Sequence, residues 1–361
     1  MLYTIPDYYH EFVCTADRCE DTCCAGWQII IDKKSLKRYR RVRGHFGRRL
    51  RRSVNWKEGA FCQSEDKRCA FLNRDNLCDL YTALGKNSLC RTCRNYPRHI
   101  EEFENVREIT LSVSCPEVAE ILLEKQEPVQ FLTYEKEGEE EFKDFDPFLY
   151  SVLLDGREVM LRILQNRDRK LCVRIFLILG LARDMQRKMD KGELFSCEEL
   201  FVEYESEQAA ESAENKWKMP AFESAERGFR ALKRLERLRG DWEPYLDEAR
   251  ALLFGGGEEE YQKKQQEFLL WLEREMPSWE IMLEQLAVYF IFTYFCGAVY
   301  DGKAYGKVRF AVYNVFFIYE MMLAEWIKNE RMLDVEDVKE IVYRYSREVE
   351  HSDRNLRKMG A

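Results

Sequence analysis

The sequence predicts a mainly α-helical protein, in which an irregular, cysteine-rich, metal-binding N-terminal region packs on an all-α helical bundle. Three observations carry that expectation. Ten of the thirteen cysteines of the 361-residue chain lie between Cys14 and Cys115. Beyond residue 146, apolar residues recur at three- and four-residue spacing, the period of a helix with one buried face. Strand patterns are nearly absent from that part. With 46% apolar residues the chain can bury a real core, and its length corresponds to about two domains. The expected division is a cysteine-rich region at 1–130, an acidic linker at 131–146 and a helical domain at 147–361.

Taken in order, residues 35–52 read as one helix. Residues 108–114 read as a strand, because Ile109, Leu111 and Val113 alternate with polar neighbours. Cys115-Pro116-Glu117 opens a helix, with proline at its first position and an acid in its first turn. Further helices are expected at 148–165, 170–189, 197–214, 220–238, 243–254, 258–275, 277–300, 308–329 and 335–351. Pro220, Gly240, Pro244, Gly255-Gly256-Gly257, Pro277 and Gly302 punctuate them. The longest apolar run, 287–300, is flanked by Glu284 and Asp301 and is shorter than the ~18 residues a membrane span needs. A buried core helix and no membrane partner are expected.

The net charge of −8 is uneven, with +3 in residues 1–128 and −11 in the rest. Eleven Lys and Arg fall between Lys33 and Arg52 with no acid among them. Such a run is commonly a solvated helix face; the functional alternative is an electrostatic dock for an acidic partner or for a phosphate backbone. The sequence pI near 5.4 argues against a dedicated nucleic-acid binder, so no nucleic-acid partner is expected. The odd cysteine count and a start, Met1-Leu-Tyr-Thr-Ile-Pro-Asp, without a basic or apolar leader pattern disfavour a secreted disulfide framework. A reducing, cytoplasmic location is expected.

Three cysteine spacings carry the chemistry. Cys14, Cys19, Cys23 and Cys24 put four thiols within eleven residues; Cys69 is followed by Cys78; Cys90-x2-Cys93 is followed by Cys115-Pro116. Short loops between thiols bring two sulfurs together at low entropic cost, and distant ligands then close a four-coordinate site. Buried free cysteines would instead sit among apolar neighbours; here Asp, Arg and Gly surround them. His10, His45 and His99 do not supply the spacing of a mixed Cys/His finger. An all-thiolate iron–sulfur cluster and an all-cysteine zinc site both remain open.

Several motifs resemble the flagellin lysine-N-methylases, relatives of a broader group of zinc- or iron-chelating cysteine-rich domains. They are Cys19-Glu20-Asp21-Thr22-Cys23-Cys24-Ala25-Gly26-Trp27, Cys69-Ala70-Phe71-Leu72-Asn73, Leu77-Cys78, Cys93-x2-Tyr96-Pro97-Arg98 and Leu111-Ser112-x-Ser114-Cys115-Pro116-Glu117. Near the other end, Arg347-Glu348-x-Glu350-His351 looks like that family's Arg-x-x-Glu-His segment. The resemblance implies methyl transfer from S-adenosylmethionine to surface lysines of flagellin by an enzyme with a [4Fe-4S] cluster. It places the metal ligands among Cys14, Cys19, Cys23, Cys24, Cys69, Cys78, Cys93 and Cys115, with Cys90 a further candidate. It points to Trp27 and Arg98 for cofactor binding. The alternative function is a non-catalytic zinc- or iron–sulfur-binding interaction module.

Two familiar methyl-donor motifs are missing. Gly255-Gly256-Gly257 follows no strand, so it does not read as a Rossmann turn. The pattern Cys-x3-Cys-x2-Cys begins at Cys19 and Cys23 but meets Gly26 at its third position. A lysine amine must lose its proton before it can attack a methyl group, which calls for a desolvated pocket or a base. Arg347, His351 and Asn355, four apart on one predicted helix, with Glu350 beside them, are the candidates. An exposed i,i+4 ladder is the competing reading.

Overall fold

The structure, a computed structural model, describes residues 1–138, 145–217 and 221–360. The chain opens with strand β1 (Leu2–Pro6), then helices α1 (Lys33–Arg41) and α2 (Gly44–Arg52) and the two-residue strands β2 (Val54–Asn55) and β3 (Ala60–Phe61). Short helices α3 (Asp79–Leu84) and α4 (Arg91–Asn95) lead to strands β4 (Arg98–Phe103) and β5 (Val106–Leu111), helix α5 (Pro116–Glu124) and strand β6 (Phe131–Glu135). The helical body follows: α6 (Pro147–Leu164), α7 (Leu171–Asp190), α8 (Cys197–Glu205), α9 (Glu207–Lys216), α10 (Phe222–Leu232), α11 (Trp242–Phe254) and α12 (Gly257–Glu275). It ends with α13 (Trp279–Tyr294), α14 (Ala298–Asp301), α15 (Ala304–Lys328), α16 (Val335–Glu350) and α17 (Asp353–Met359).

The mainly helical class is as expected, but the N-terminal region is less irregular than its sequence reads. It contributes a four-stranded sheet of order β4-β5-β1-β6. β1 runs parallel to β5, with Leu2 opposite Val106, and antiparallel to β6, with Pro6 opposite Phe131. Only β5 carries a clear alternation. β4 is Arg-His-Ile-Glu-Glu-Phe, and β6 is mostly exposed, so neither shows the one-sided pattern that marks a strand in sequence. β6 occupies the start of the acidic segment 131–146, whose residues 139–144 lie outside the described residues.

Three single helices in the sequence reading are divided in the structure, and the 277–300 segment becomes α13 and α14. The 35–52 segment breaks at Val42-Arg43, where Gly44 takes φ +78°, a backbone conformation glycine adopts without a Cβ clash. The 197–214 segment breaks at Ser206, whose side chain accepts from the Ala209 N–H and so caps α9. Of the 220–238 segment, Pro220 lies outside the described residues and the helix within the rest is α10.

Two apolar cores organise the molecule. The smaller joins Trp27, Ile29, Ile31, Tyr39, Leu50, Val54, Phe61 and Phe71 with buried Cys69 and Cys90. The larger runs through the helical body and takes in Tyr8, Phe103, Leu111, Val113 and α5. The buried Arg157 of α6 fastens sheet to helices by two hydrogen bonds to Glu108 of β5. Two stretches, Trp279–Asp301 and Ala304–Lys328, are long and apolar enough to cross a membrane, yet 89% and 67% of their apolar windows are buried against protein. They serve as core helices.

One buried carboxylate gives a pH prediction. Glu320 of α15 is fully buried; Tyr261 donates to its Oε1 at 2.9 Å and Gln265 at 3.2 Å, and Oε2 has no hydrogen-bond partner. Burial pushes its pKa up to about 7 from 4.5. A raised folded pKa means stability that is fully present below pH 4.5 and is lost as pH rises through about 7, by an amount on the order of 3 kcal/mol. Glu320→Gln keeps an acceptor for Tyr261 and cannot ionise. Thermal unfolding of this variant is expected to gain on wild type above pH 7 and to show no gain near pH 4.5. Equal melting behaviour at both pH values contradicts the assignment.

Candidate functional site

The two ends of the chain meet. Arg347 projects from α16 into the loop that carries Cys19, Cys23 and Cys24, and is 2% exposed. It pairs with Asp21 at 2.8 Å, donates to the Ser114 carbonyl at 2.9 Å and the Thr22 carbonyl at 3.3 Å, and also reaches the Asp21 carbonyl. Its guanidinium lies 5.1 Å over the Trp27 ring. Lys339, about two helical turns earlier, pairs with Glu20 at 2.9 Å, and Arg239 pairs with the second oxygen of Asp21 at 2.7 Å. The cysteine loop therefore takes its shape from the C-terminal helix.

His351 caps α16 and stacks on Trp27, with ring centroids 4.1 Å apart. Its Nε2 stands 2.7 Å from Ser114 Oγ, which is also 2.7 Å from Ser112 Oγ and 3.1 Å from the Tyr96 hydroxyl. Burial, with Arg347 and His99 nearby, lowers the imidazole pKa to about 3, so the ring is neutral at physiological pH. Glu350 faces the other way: the hydroxyls of Tyr289 and Tyr294 both donate to its Oε2 at 2.6 Å. Its Oε1 is buried without a hydrogen bond. Burial raises the Glu350 pKa, against the lowering effect of the two tyrosines, His99 and Ser346.

Tyr96, Pro97, Arg98, His99, Ser112, Tyr294, Glu350 and His351 line a half-open cavity of about 90 Å³. It has room for several waters or the end of an alkylamine chain; it is smaller than the ~300 Å³ from which whole-ligand pockets begin. Arg98 lies on its wall, with Nε donating to Tyr9 at 2.9 Å and the guanidinium 5.5 Å over both the Tyr9 and Phe12 rings. A larger groove of about 710 Å³ between α7 and α9 includes none of the residues singled out by motif.

The sequence-derived candidates Arg347, Glu350, His351, Trp27 and Arg98 thus come to one place. Asn355 does not. α16 stops at Glu350, Ser352 caps α17, and the Asn355 amide is spent on Glu236 and on the Glu348 carbonyl. The Ser352-Asp353 start signal, read through as helix in the sequence, is the cause. Burial of Arg347 also excludes the exposed ladder. Ser112, Ser114, His99, Tyr289 and Tyr294 were not singled out for the site. The tyrosines lie within or beside a segment that reads as pure core, yet a buried tyrosine hydroxyl needs a partner, and that was the available signal.

The thiols stand in pairs. Cys23 donates to Cys24, which raises the Cys23 pKa and lowers that of Cys24 to about 7. In the same way Cys93 is raised and Cys90 lowered. Cys69 and Cys115 are pushed up to about 12, and Cys19 and Cys78 are raised as well, in each case mainly by burial. Cys14 is exposed, and all thirteen cysteines are free thiols. Soft sulfur donors of this kind fit a thiolate-bound metal or iron–sulfur group in their chemistry. Among the described residues, no group of three or more Cys, His, Asp or Glu side chains is placed to hold a metal ion. Thiols of separate loops nevertheless share a neighbourhood: Cys24 acts electrostatically on Cys69, Cys78 and Cys93, and the Cys69 N–H donates to the Cys24 carbonyl at 2.8 Å.

Fold and site together define a class: a thiol-rich unit clamped by the last long helix of an α-helical body, with a carboxylate and an imidazole at the junction. The model of the FliB lysine N-methylase C-terminal domain matches residues 157–361, and the chain belongs to that family. The lysine-N-methylases of Salmonella typhimurium and Salmonella choleraesuis are each 30% identical to it over 129 residues, 33% of this chain and 32% of theirs. The match therefore spans about a third of the length of these relatives. The flagellar biosynthetic protein FliU of Salmonella muenchen is 30% identical over 129 residues, which covers 33% of this chain and 76% of FliU. No solved structure matches.

Proposed function

We propose that this chain is a protein methyltransferase that moves methyl groups from S-adenosylmethionine to lysine side chains of flagellin, with a [4Fe-4S] cluster on its N-terminal cysteines. The observation that carries the reading is that Glu350 and His351 line a small cavity sized for the end of an amine chain, with Trp27 stacked on His351 and Arg347 packed over Trp27. The names of the similar proteins, lysine-N-methylase and flagellar biosynthetic protein, support it.

A lysine amine with pKa near 10.4 is almost wholly charged in water. Within the cavity, lost hydration disfavours that charge, and Glu350 can take the proton. His351 is the weaker base, since its pKa is lowered to about 3. It holds Ser114 and covers Trp27 instead. The neutral amine nitrogen forms a bond to the methyl carbon while the C–S bond breaks and its electron pair moves onto sulfur. The methylated nitrogen carries the positive charge away, and Glu350 returns its proton to solvent. The rings of Tyr96 and Tyr294 on the cavity wall suit a cationic group at this position. Iron ligands are to be drawn from Cys14, Cys19, Cys23, Cys24, Cys69, Cys78, Cys90, Cys93 and Cys115. When bound, the cluster supplies a redox-active iron centre with thiolate ligation.

Two measurements test the reading against a non-catalytic zinc or cluster module. Anaerobically purified protein is expected to be brown, with absorbance at about 400 nm from thiolate-to-iron charge transfer. It is expected to retain S-adenosylmethionine, and Trp27→Ala to retain less. A colourless zinc protein that binds no S-adenosylmethionine contradicts the proposal and leaves the module.

A further inference from the structure

The basic segment of the sequence becomes a surface that the mechanism above does not use. Of the eleven Lys and Arg between Lys33 and Arg52, nine are exposed, eight of them on α1 and α2 and Arg43 between the two helices. The other two turn inward: Arg38 donates to the carbonyls of Asn87, Ser88 and Leu89 at 2.6 to 3.0 Å, and Arg49 pairs with Asp79 at 2.6 Å. Among the described residues, none of the nine exposed cations takes part in an ion pair. On the helical body such pairs are frequent, as at Arg230 with Glu226, Lys264 with Glu260 and Arg344 with Glu340.

Like charges one helical turn apart, such as Lys33 and Lys37 or Arg48 and Arg52, destabilise their own helix. The pair stays folded because Tyr39 and Leu50 are fully buried beneath it, and because the Tyr39 hydroxyl donates to the Ser88 carbonyl at 2.7 Å. Asp32 secures the base of α1, accepting from the Ser35 and Arg91 N–H groups at 2.8 Å each. The Arg91 contact ties α1 to the Cys90–Cys93 turn, and the core under both helices includes Trp27. The cationic face and the junction with His351 are therefore set on one rigid unit.

We propose that the outer face of α1 and α2 docks an acidic patch of the protein substrate, apart from the cavity that takes the lysine side chain. The identity of that substrate rests on the function proposed above; the charge of its patch does not. Each helix is nine residues, about 14 Å long, which is the scale of a protein patch. Single-stranded nucleic-acid sites interleave cations with exposed aromatic rings on which bases stack. Here Tyr39 is buried and Trp56 lies under Arg40, whose guanidinium is 5.1 Å from the ring. The net −11 on residues 129–361 also opposes a long phosphate polymer.

The test uses the full chain and a variant carrying Lys34→Glu, Lys37→Glu, Arg41→Glu and Arg48→Glu, with circular dichroism as the check on folding. Binding of purified flagellin, polyglutamate and duplex DNA is measured at low and high salt. Wild type is expected to bind flagellin and polyglutamate, both weakening with salt, and the variant to bind each at least about tenfold more weakly. Methylation of a short lysine peptide is expected to be unchanged in the variant. Equal binding of both acidic probes by the variant, or tighter binding of duplex DNA than of polyglutamate by wild type, overturns the proposal. Salt-sensitive binding of polyglutamate without methyl transfer to flagellin leaves the docking face standing and rejects the catalytic reading instead.

Discussion

Glu350→Gln is expected to slow methyl transfer by about 10²- to 10⁴-fold, the contribution of a positioned base, while the chain stays folded. Glutamine still offers an oxygen to the Tyr289 and Tyr294 hydroxyls, which now meet Glu350 Oε2 at 2.6 Å. It cannot accept a proton. Burial raises the Glu350 pKa, so the wild-type rate should climb with pH through a value above the ordinary glutamate range, and that limb should vanish in the variant. Single-turnover rates across pH read both effects. His351→Ala removes the ring stacked on Trp27 and the contact with Ser114 Oγ, and is expected to cost less than loss of Glu350. Normal rates in both variants would place the chemistry elsewhere.

Arg347→Met is expected to have the largest effect on structure, about 3–5 kcal/mol, as for a buried ion pair that loses one partner. Methionine fills part of the volume but leaves the carbonyls of Ser114 and Thr22 without their donor. Asp21 keeps Arg239, so the loss should be local first. Hydrogen exchange in residues 19–27 should accelerate, and Cys23 and Cys24 should become more reactive to alkylation. Unchanged exchange in that loop would show that Arg347 does not hold it.

Much of this was legible in the sequence, for reasons tied to particular residues. Three- and four-residue apolar spacing located the helical body because those faces are buried in one core. The C-terminal segment and the cysteine motifs were separately visible, but their meeting was not. Nothing local in the sequence says that Arg347 will reach Asp21, more than three hundred residues away, since only tertiary packing brings α16 to that loop. The same limit hid the sheet: β1 finds β5 and β6 across more than a hundred residues, and β4 and β6 lack the alternation that would have announced them. Asn355 shows the opposite error. Its four-residue spacing from His351 was real in sequence, but a serine cap ended one helix and began another. The cysteine spacing spoke for donor chemistry and loop closure, and the folded chain brings Cys69, Cys78 and Cys93 of other loops into electrostatic reach of Cys24.

The central claim is that lysine methylation occurs at the junction of the cysteine loop and α16. Transfer of a labelled methyl group from S-adenosylmethionine to purified flagellin, mapped to residues by mass spectrometry, tests it most directly. Iron-replete wild-type protein is expected to label lysine side chains, and Glu350→Gln to leave them nearly unlabelled. No label from iron-replete protein that demonstrably binds S-adenosylmethionine would contradict the account, as would full labelling by the variant.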